Sequence, residues 1–332
     1  MRSGLLRWLV CPDDHAELTL HETRNGLGDE VEEGRLTCRQ CSRHYPIQAG
    51  VPRFIQPGVS VGLDRTRRAF GYEWTTFKER YHFLEQQFIE WIRPLKPSDF
   101  EGKVILDAGC GSGMYTQFLG RFGAREVVAC DLSGAIDVAK SLNRSQNYHF
   151  VQADLLHPPF RQGSFDLAFS KGVLHHLPRP AEGVRSLVRL LNKQGSLFLW
   201  VYSREGNGWV IRIVNPIRYY ITSRLPLRAE YAFSFAVAGV LYLVVKGVYL
   251  PIARSRLSWL KDRLPYAPYL MDHTRYTFRY MHFNVFDHLT APLAHYIPRL
   301  EVEQWFQEHR FKRYEVISRF GMSWSALGTY AD

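Results

Sequence analysis

The residues most able to do chemistry form a glycine-rich turn after an apolar run, in VILDAGCGSGMYTQF at 104–118. Glycine recurs at every second position, at Gly109, Gly111 and Gly113, and Asp107 precedes the turn. A turn of this kind between a strand and a helix lets the backbone approach a ligand closely. The spacing G-x-G-x-G differs from the dinucleotide fingerprint G-x-G-x-x-G. An aspartate before the turn disfavours a pyrophosphate and suits a positively charged ligand.

Two further carboxylates close the next two predicted strands. Asp131 ends EVVACD, where it can accept hydrogen bonds from both hydroxyls of a ribose. Asp154 ends YHFVQAD, where it can accept from an adenine amino group. Any one of these aspartates could instead cap a helix, but three in register at neighbouring strand ends favour one shared ligand. S-adenosylmethionine, with its sulfonium and ammonium groups, fits that pattern.

The elements that must position these aspartates alternate between strand and helix. Strands are predicted in KVILDAG, EVVACD, YHFVQAD, FDLAFSKG and GSLFLWVY, and helices in MYTQFLGRFG, GAIDVAKSLN and PAEGVRSLVRLLN. Such alternation is typical of an α/β fold, in which helices cover both faces of a parallel sheet. It stops after residue 202 and resumes with a helix in LEVEQWFQEHRF and strands in KRYEVISRF and SWSALGTY.

The segments VILDAGCGSG, VVACDLS, FVQADLLHPPF, FDLAFSKGVLHHL and GSLFLWVY resemble the class I S-adenosylmethionine-dependent methyltransferases. Among these, the resemblance is to the branch with ubiquinone- and menaquinone-type and other small-molecule enzymes. It covers 101–202 closely and 299–332 loosely, and it implies a Rossmann-like seven-stranded sheet. It also implies the cofactor contacts: Asp107 and the Gly109, Gly111 and Gly113 turn for the methionine moiety, Asp131 for the ribose, Leu132, Asp154 and Leu155 for the adenine, and Ser170 and Lys171 beside the methionine and the acceptor.

The stretch RAFGYEWTTF resembles the segment before the core in many of these methyltransferases, where aromatic residues close over the cofactor. Phe70, Tyr72 and Trp74 are the candidates for such a lid, and the alternative is that they are core aromatics. Methyl transfer needs a base only if the acceptor must lose a proton. His175 and His176, after the fourth strand, are the predicted bases, unless they are structural turn residues.

Other candidates and some absences bear on the acceptor. Further candidate bases lie at His282, Asp287, His288 and His295. DNA amino-methyltransferases need an Asn/Asp-Pro-Pro-aromatic turn after the fourth strand, where this chain has SKGV. Cytosine C5 enzymes need a Pro-Cys pair, which the sequence lacks.

The N-terminal segment contains two cysteine knuckles, CPDDH and CRQC, laid out as in a zinc ribbon. The predicted ligands of a structural zinc ion are Cys11, Asp14, Cys38 and Cys41. His15 and His44 are alternatives for the fourth ligand, and a ribbon that folds without metal is the other reading. With YPIQAGVPRFI, the segment resembles the small zinc-ribbon subunits that activate translation-associated methyltransferases. Some ribosomal-RNA methyltransferases also have an N-terminal zinc site.

The region after the fifth strand is apolar, aromatic and basic. Residues 231–252 contain one charge, Lys246, and are near the length of a membrane-spanning helix. Because a central lysine is costly in a bilayer, we expect a buried or membrane-surface helix. The basic residues of 205–265 are Arg212, Arg218, Arg224, Arg228, Lys246, Arg254, Arg256, Lys261 and Arg263, against the acids Glu205, Glu230 and Asp262. This composition suits a lipid-facing surface or a helical cap with a solvated basic face.

Together these patterns predict five segments in the chain of 332 residues. They are a zinc-ribbon-like domain at 1–57, a helical lead-in and cofactor lid at 58–100, a methyltransferase core at 101–202, a mostly helical insertion at 203–297, and a C-terminal helix and strands at 298–332. Five scattered cysteines and an N-terminus that soon turns acidic predict a cytoplasmic location, with peripheral membrane contact through 205–265.

The predicted function is methyl transfer from S-adenosylmethionine to a small-molecule or lipid-like acceptor, at oxygen or carbon. The net charge of +10 also permits an RNA substrate held by the ribbon and a basic surface. Against RNA, the basic insertion is unusually apolar. A catalytically silent scaffold is disfavoured by the intact cofactor motif.

Overall fold

The computed structural model describes residues 1–26, 29–55, 61–77, 79, 81, 83–255, 258–261, 263–291 and 293–330. Its strands are β1 (Leu18–Asn25), β2 (Val31–Cys38), β3 (His44–Gln48), β4 (Val51–Phe54), β5 (Val104–Ala108), β6 (Glu126–Asp131), β7 (Tyr148–Ala153), β8 (Phe165–Lys171), β9 (Leu191–Tyr202), β10 (Arg313–Arg319) and β11 (Ser323–Thr329). Its helices are α1 (Val61–Thr76), α2 (Leu84–Trp91), α3 (Thr116–Arg121), α4 (Ala135–Leu142), α5 (Pro180–Leu190), α6 (Asn215–Tyr220), α7 (Leu227–Val244), α8 (Leu250–Arg254), α9 (Ser258–Lys261), α10 (Ala267–Asp272), α11 (Phe278–Thr290) and α12 (Arg299–Glu308).

Within the described residues, eleven strands form one sheet in the order β1-β2-β3-β4-β7-β6-β5-β8-β9-β11-β10. The seven strands from β7 to β10 form the core, in which β7, β6, β5, β8 and β9 run parallel and β11 is antiparallel to β9. The predicted α/β fold, with a seven-stranded sheet, an N-terminal β domain and a helical insertion, is confirmed. The carboxyl ends of β5 to β8 therefore meet at one edge.

The central strands are apolar on both faces, as expected for parallel strands covered by helices. In β5, Leu106 packs into the cluster that contains residues of α5 and α12, whereas Ile105 packs into the cluster that contains residues of α2, α3 and α4. This period of two places Asp107 on the same face as Ile105, under the helices that follow the glycine turn.

The N-terminal domain is continuous with the core sheet. The last strand of its meander, β4, pairs in parallel with β7, with Arg53 opposite Gln152 and Phe54 opposite Ala153. Arg53 also donates hydrogen bonds to the Gln152 side chain and to Asp137 of α4, at 2.8 and 2.7 Å. The sequence predicted a zinc-ribbon-like domain at 1–57, and its last strand completes the otherwise unpaired edge of β7.

The insertion contains α6 to α11 and two π-helical turns, Val210–Val214 and Val245–Tyr249. Among the described residues, one continuous helical stretch, Leu227–Arg254, is long and apolar enough by length and composition to cross a membrane. Only 17% of its apolar window is buried, so the expectation of a buried helix is wrong. One face packs on α11, and the other exposes residues such as Leu243.

Two of the predicted surface cations point inward instead. Arg218 is buried and donates to the backbone carbonyl of His288, and Lys246 Nζ donates to the carbonyl of Thr274 at 2.7 Å. Its neighbours Val245 and Tyr249 are buried, so the Lys246 ammonium is directed toward the protein and not across the exposed apolar face. Arg256, Asp262 and the side chain of Lys261 lie outside the described residues.

Candidate functional site

A cavity lies at the carboxyl edge of the parallel strands, and we call it the strand-end cavity. Residues after β5, β6 and β7 line it, namely Gly109, Gly111, Asp131, Leu132, Asp154 and Leu155. It encloses about 740 Å³, open mouth included, which is within the size range of small-molecule sites. These six residues are among those that the resemblance assigned to S-adenosylmethionine.

The glycine turn that forms one wall can be built only from glycine. Gly109 and Gly111 have φ values of +84° and +55°, which side-chain-bearing residues rarely adopt. A Cβ atom at Gly111 would lie 2.8 Å from the indole of Trp74, and one at Gly109 would lie 2.3 Å from Val173. The glycines therefore keep the backbone close to whatever occupies the cavity.

Asp131 is held in place by the same turn. One carboxylate oxygen accepts from the backbone N–H of Gly111 at 2.9 Å. The other accepts from the backbone and the hydroxyl of Ser133, at 2.7 and 2.6 Å. Burial raises the pKa of Asp131, and these hydrogen bonds oppose that shift. The result is an oriented acceptor at the cavity wall, as a ribose requires.

Asp107 and Gly113 lie behind the turn and do not line the cavity. Asp107 is buried and accepts from the hydroxyl of Thr116 at 2.6 Å. Burial raises the pKa of Asp107 to about 7. The carbonyl of Gly113 accepts from Asn143 of α4 at 3.3 Å. In this structure both residues support the turn from behind, and the direct contacts with the methionine moiety that the resemblance implied for them stay a prediction.

Helix α1 covers the strand-end cavity with Arg67, Phe70 and Trp74. These residues recur at i, i+3 and i+7 and therefore share one helix face. Tyr72 lies on a different face and packs on Phe286, with ring centroids 5.9 Å apart. The prediction of Tyr72 as a cofactor contact is therefore corrected, because the period of the helix turns its side chain away.

Of the predicted site residues at the end of β8 and just after it, some line the strand-end cavity and others are buried in the protein interior. Ser170 is buried and its hydroxyl donates to the carbonyl of Ala108 at 3.1 Å, so it joins β8 to β5 instead of facing a cofactor. His175 is fully buried against Tyr202, with ring centroids 4.0 Å apart, and does not line the strand-end cavity. This burial lowers the pKa of His175 well below its usual value. The prediction of His175 as a base is corrected to a packing position.

His176 does line the strand-end cavity. Its Nδ1–H donates to the carbonyl of Leu293 at 2.7 Å, which leaves Nε2 as the hydrogen-bond acceptor. Burial lowers the pKa of His176 to about 4, so the ring is neutral at pH 7. A neutral imidazole with a free Nε2 is the form that can accept a proton.

A second cavity lies beside the first, and we call it the aromatic cavity. Its walls are mainly aromatic and come from the core and the insertion, including Trp91, Tyr115, Trp200, Tyr202, Tyr276 and Phe283. It encloses about 1130 Å³, open mouth included. The two cavities share Trp74, Gly109, Lys171, Gly172 and Asp287. A molecule in one would therefore lie next to a molecule in the other.

Lys171 stands at the junction of the two cavities inside an aromatic box. Its Nζ lies 4.1 Å from the ring centroid of Trp91 and 4.0 Å from that of Tyr115. Burial lowers the pKa of Lys171 to about 7, although the carboxylates of Asp287 and Asp107 oppose the shift. At neutral pH this amine can therefore either accept or donate a proton.

The insertion contributes Asp287 to the same junction. Asp287 accepts from the phenol of Tyr202 at 3.2 Å. Of the other insertion candidates, His288 lines the aromatic cavity, whereas His282 is buried and bonded to Ser234, 2.9 Å away. His295 lines neither cavity, and its backbone N–H donates to the carbonyl of His175. Sequence reasoning could not separate Asp287 from these neighbours because no local spacing marks it.

A buried carboxyl group that sequence reasoning missed lies in the lid. Glu73 of α1 is fully buried. Burial, together with the negative charges of Asp287 and Glu230, raises the pKa of Glu73 well above its usual value. Its carboxyl group is therefore neutral over part of the range in which an exposed glutamate is ionised. A charged residue within an otherwise aromatic lid segment was the only sequence signal.

The N-terminal knuckles bring together the four predicted metal ligands. The ligand atoms of Cys11, Asp14, Cys38 and Cys41 all lie within 4.8 Å of one another. Sγ of Cys11 is 3.7 Å from that of Cys41, and Sγ of Cys38 is 3.3 Å from Asp14. Three thiols and one carboxylate are a suitable donor set for tetrahedral zinc. The alternative ligand His44 instead pairs with Thr37 at 3.1 Å, and His15 is not part of the cluster.

Comparison with known proteins identifies two segments of the chain. Residues 106–199 match the family described as a methyltransferase domain, and residues 2–50 match the family described as Trm112p-like protein. The chain therefore contains a class I S-adenosylmethionine-dependent methyltransferase domain joined to a Trm112-like domain. The resemblance drawn from the sequence is confirmed. S-adenosylmethionine is the methyl donor of this class, and the strand-end cavity has the acceptors and glycines to hold it.

The relatives differ in their acceptors. A ubiquinone biosynthesis O-methyltransferase of Albidiferax ferrireducens is 28% identical over 44% of this chain and 58% of that protein. A tRNA (carboxymethyluridine(34)-5-O)-methyltransferase of Arabidopsis thaliana is 32% identical over 48% of this chain and 37% of that protein. A solved complex between the Haloferax volcanii Trm112 methyltransferase activator and the putative methyltransferase is 19% identical. The match covers 46% of this chain and 67% of that chain, with a TM-score of 0.37. The chain spans 30% to 64% of the length of its curated relatives.

Proposed function

We propose that this chain transfers a methyl group from S-adenosylmethionine to a small, aromatic and lipid-like acceptor, at an oxygen or a carbon atom. The observation that supports this proposal best is that the aromatic cavity and the strand-end cavity share walls at Lys171 and Asp287. Relatives named for ubiquinone biosynthesis are consistent with such an acceptor.

The proposed chemistry is alignment followed by displacement. When bound, the cofactor supplies an activated methyl group, so the protein needs mainly to align the acceptor and exclude water. Trp74 and the indole rings of Trp91 and Trp200 wall the junction with apolar surface. An aromatic ring stacked there would present its substituent toward Gly109 and Lys171.

Lys171 is the residue that we assign to the acceptor proton. In its neutral form, Nζ accepts the proton of a phenol or enol as the acceptor oxygen or carbon attacks the methyl group. The bonding pair of the carbon–sulfur bond then stays on sulfur. Asp287 balances the resulting ammonium charge from the same junction. His176, neutral with a free Nε2, is the second candidate for this role.

An RNA acceptor is the alternative, and two observations favour it. Relatives named as tRNA (carboxymethyluridine(34)-5-O)-methyltransferases match nearly half of the chain, and the Trm112-like domain accompanies the core. A single extruded base would also fit an aromatic cavity. The exposed surface next to that cavity is apolar, however, which suits a lipid better than a phosphate backbone.

A transfer assay with radiolabelled donor tests the proposal. Purified protein is incubated with a quinol-rich lipid extract and, separately, with bulk tRNA. We expect label in the lipid fraction. Gly111→Ala should abolish transfer and binding of S-adenosylhomocysteine measured by calorimetry, because its Cβ would meet Trp74. Gly134→Ala is the matched control, since nothing lies within 4 Å of a Cβ there. Label in tRNA alone would reject the lipid acceptor.

The role of Lys171 is tested in the same assay. Lys171→Met should lower the rate about 100-fold or more while leaving the affinity for S-adenosylhomocysteine within a few-fold. Lys193→Met, at an exposed position remote from the cavities, is the control. An unchanged rate for Lys171→Met would exclude this lysine as the base.

A cytoplasmic location is part of the proposal, and the five unbridged cysteines support it.

A further inference from the structure

The insertion presents a broad apolar surface to solvent. We call this surface the apolar face, and it comprises Trp209, Ile213, Ile217, Tyr219, Tyr220, Ile221, Phe233, Phe235, Val237, Val240, Leu243, Val244 and Val248. Leu243 is 73% exposed and Val240 66% exposed. Exposed apolar residues in this number are typical of an interaction site.

The exposed charges of the segment 206–255, which contains the apolar face, are all of one sign. From 206 to 255 the sequence has a single acid, Glu230, and that residue is buried. The exposed ions of this segment are cations, at Arg212, Arg224, Arg228 and Arg254. Arg228 and Arg254 lie at the two ends of the helical stretch, with apolar residues between them. This arrangement is complementary to a hydrocarbon layer bordered by anionic groups.

The opposite side of the helical stretch is fixed to the protein. Ser234 pairs with the ring of His282 at 2.9 Å, and Lys246 donates to Thr274. Ala238 packs with Val285 and Leu289 in a small buried cluster. Leaving these contacts to cross a bilayer would expose Glu230 and Lys246 to hydrocarbon. The geometry therefore favours a helix that lies in the membrane surface over one that spans it.

We propose that the apolar face docks in the plane of an anionic bilayer and that the aromatic cavity receives its acceptor from that bilayer. The second part rests on the proposed function. Val210 and Asn207 line the aromatic cavity, and Trp209, 60% exposed, stands between them in the chain. One wall of the aromatic cavity thus adjoins the edge of the apolar face. A lipid-like acceptor in the headgroup region would then lie close to the site.

Co-sedimentation of the full chain with unilamellar vesicles tests the docking. The protein should bind vesicles of phosphatidylcholine with phosphatidylglycerol, and added salt should weaken the binding. Arg228→Gln with Arg254→Gln should weaken it about 10- to 30-fold. Leu243→Ser with Val240→Ser should weaken it at least about tenfold. The matched controls are Arg185→Gln with Arg189→Gln, and Leu300→Ser, at exposed positions elsewhere. They should bind as the parent chain does.

Several outcomes would overturn the docking proposal. Equal binding to neutral and anionic vesicles would remove the role of the arginines. Protein that resists extraction by alkaline carbonate would indicate a spanning helix. Vesicle-free protein that is dimeric by light scattering, and monomeric after Leu243→Ser, would assign the apolar face to a second copy. Vesicle binding is measured without a methyl donor, so its failure is distinguishable from a failure of the proposed function, which the transfer assay reports.

Discussion

At the residue scale, the junction between the two cavities concentrates groups whose protonation depends on burial. The amine of Lys171 has its pKa lowered to about 7 by burial, and the carboxyl of Asp107 has its pKa raised to about 7 for the same reason. Both therefore change charge near neutrality, Lys171 at the junction of the cavities and Asp107 behind the glycine turn. Such perturbed groups are typical of functional sites, and Lys171 lies at the point where donor and acceptor would meet.

Glu73 leads to a prediction about stability and pH. Its folded-state pKa lies well above the unfolded value, so the folded protein holds this proton at pH values where the unfolded chain has lost it. The contribution of this proton to the free energy of unfolding is complete below about pH 4.3. It is lost as the pH rises through the raised pKa, at up to about 1.4 kcal/mol per pH unit. Glu73→Gln is neutral throughout, so it should stabilise the protein more at pH 8 than at pH 5.

Thermal unfolding of parent and variant at both pH values provides the measurement. Glu101→Gln, at an exposed position, is the control. A stability difference between parent and Glu73→Gln that stays constant from pH 5 to pH 8 would contradict the raised pKa.

At the element scale, the lid helix shows what a motif can and cannot predict. The aromatic residues of RAFGYEWTTF indicated a lid, but they did not indicate which of them faces the ligand. That depends on the rotational phase of α1, which is set by its contacts with α4 and α11, far away in sequence. In contrast, the aspartates at the ends of β6 and β7 could be placed from the sequence, because a strand followed by a polar residue defines its own end.

The phase of α1 can be tested with two alanine variants. Trp74→Ala removes the indole over the glycine turn, so it should weaken binding of S-adenosylhomocysteine by about tenfold. Tyr72→Ala removes a ring that packs on Phe286 and should leave the affinity within about twofold. Calorimetric titration compares the two. A larger loss for Tyr72→Ala would show that the opposite face of α1 covers the cofactor.

At the scale of the whole molecule, what the sequence predicted followed from local pattern, and what it missed depended on long-range packing. The order of strands and helices, the N-terminal ligand cluster and the donor-side residues each occupy short stretches. The junction around Lys171 and Asp287 joins β8 to α11, more than 100 residues apart, and no spacing in the chain records that contact. The pairing of β4 with β7 was missed for the same reason.

The pairing of β4 with β7 also makes the N-terminal metal site relevant to the core. The purified chain should contain one zinc ion per molecule, and its removal by a chelator should lower the midpoint of thermal unfolding by roughly 5–10 °C. Cys41→Ser should reproduce the loss of zinc, whereas His44→Ala should retain it, since His44 is outside the ligand cluster. Metal analysis and differential scanning calorimetry provide the measurements.

The shape of the unfolding transition is the informative part of that experiment. Because one sheet crosses from the N-terminal domain into the core, both should unfold together in a single transition that shifts as zinc is removed. Two separate transitions, of which only the first responds to the chelator, would contradict a shared sheet. A chain without zinc, and equally stable with chelator, would exclude the metal.

The shared sheet also bears on the ratio in which the two domains are made and on their association at low concentration. When two associating domains belong to two separate proteins, dilution separates them, and unequal synthesis leaves one without the other. Here translation delivers both in a fixed ratio of one to one, and the effective concentration of β4 at the β7 edge does not fall with the number of molecules per cell. Specific activity per molecule should therefore stay constant over a dilution series, down to amounts at which two-protein complexes would come apart.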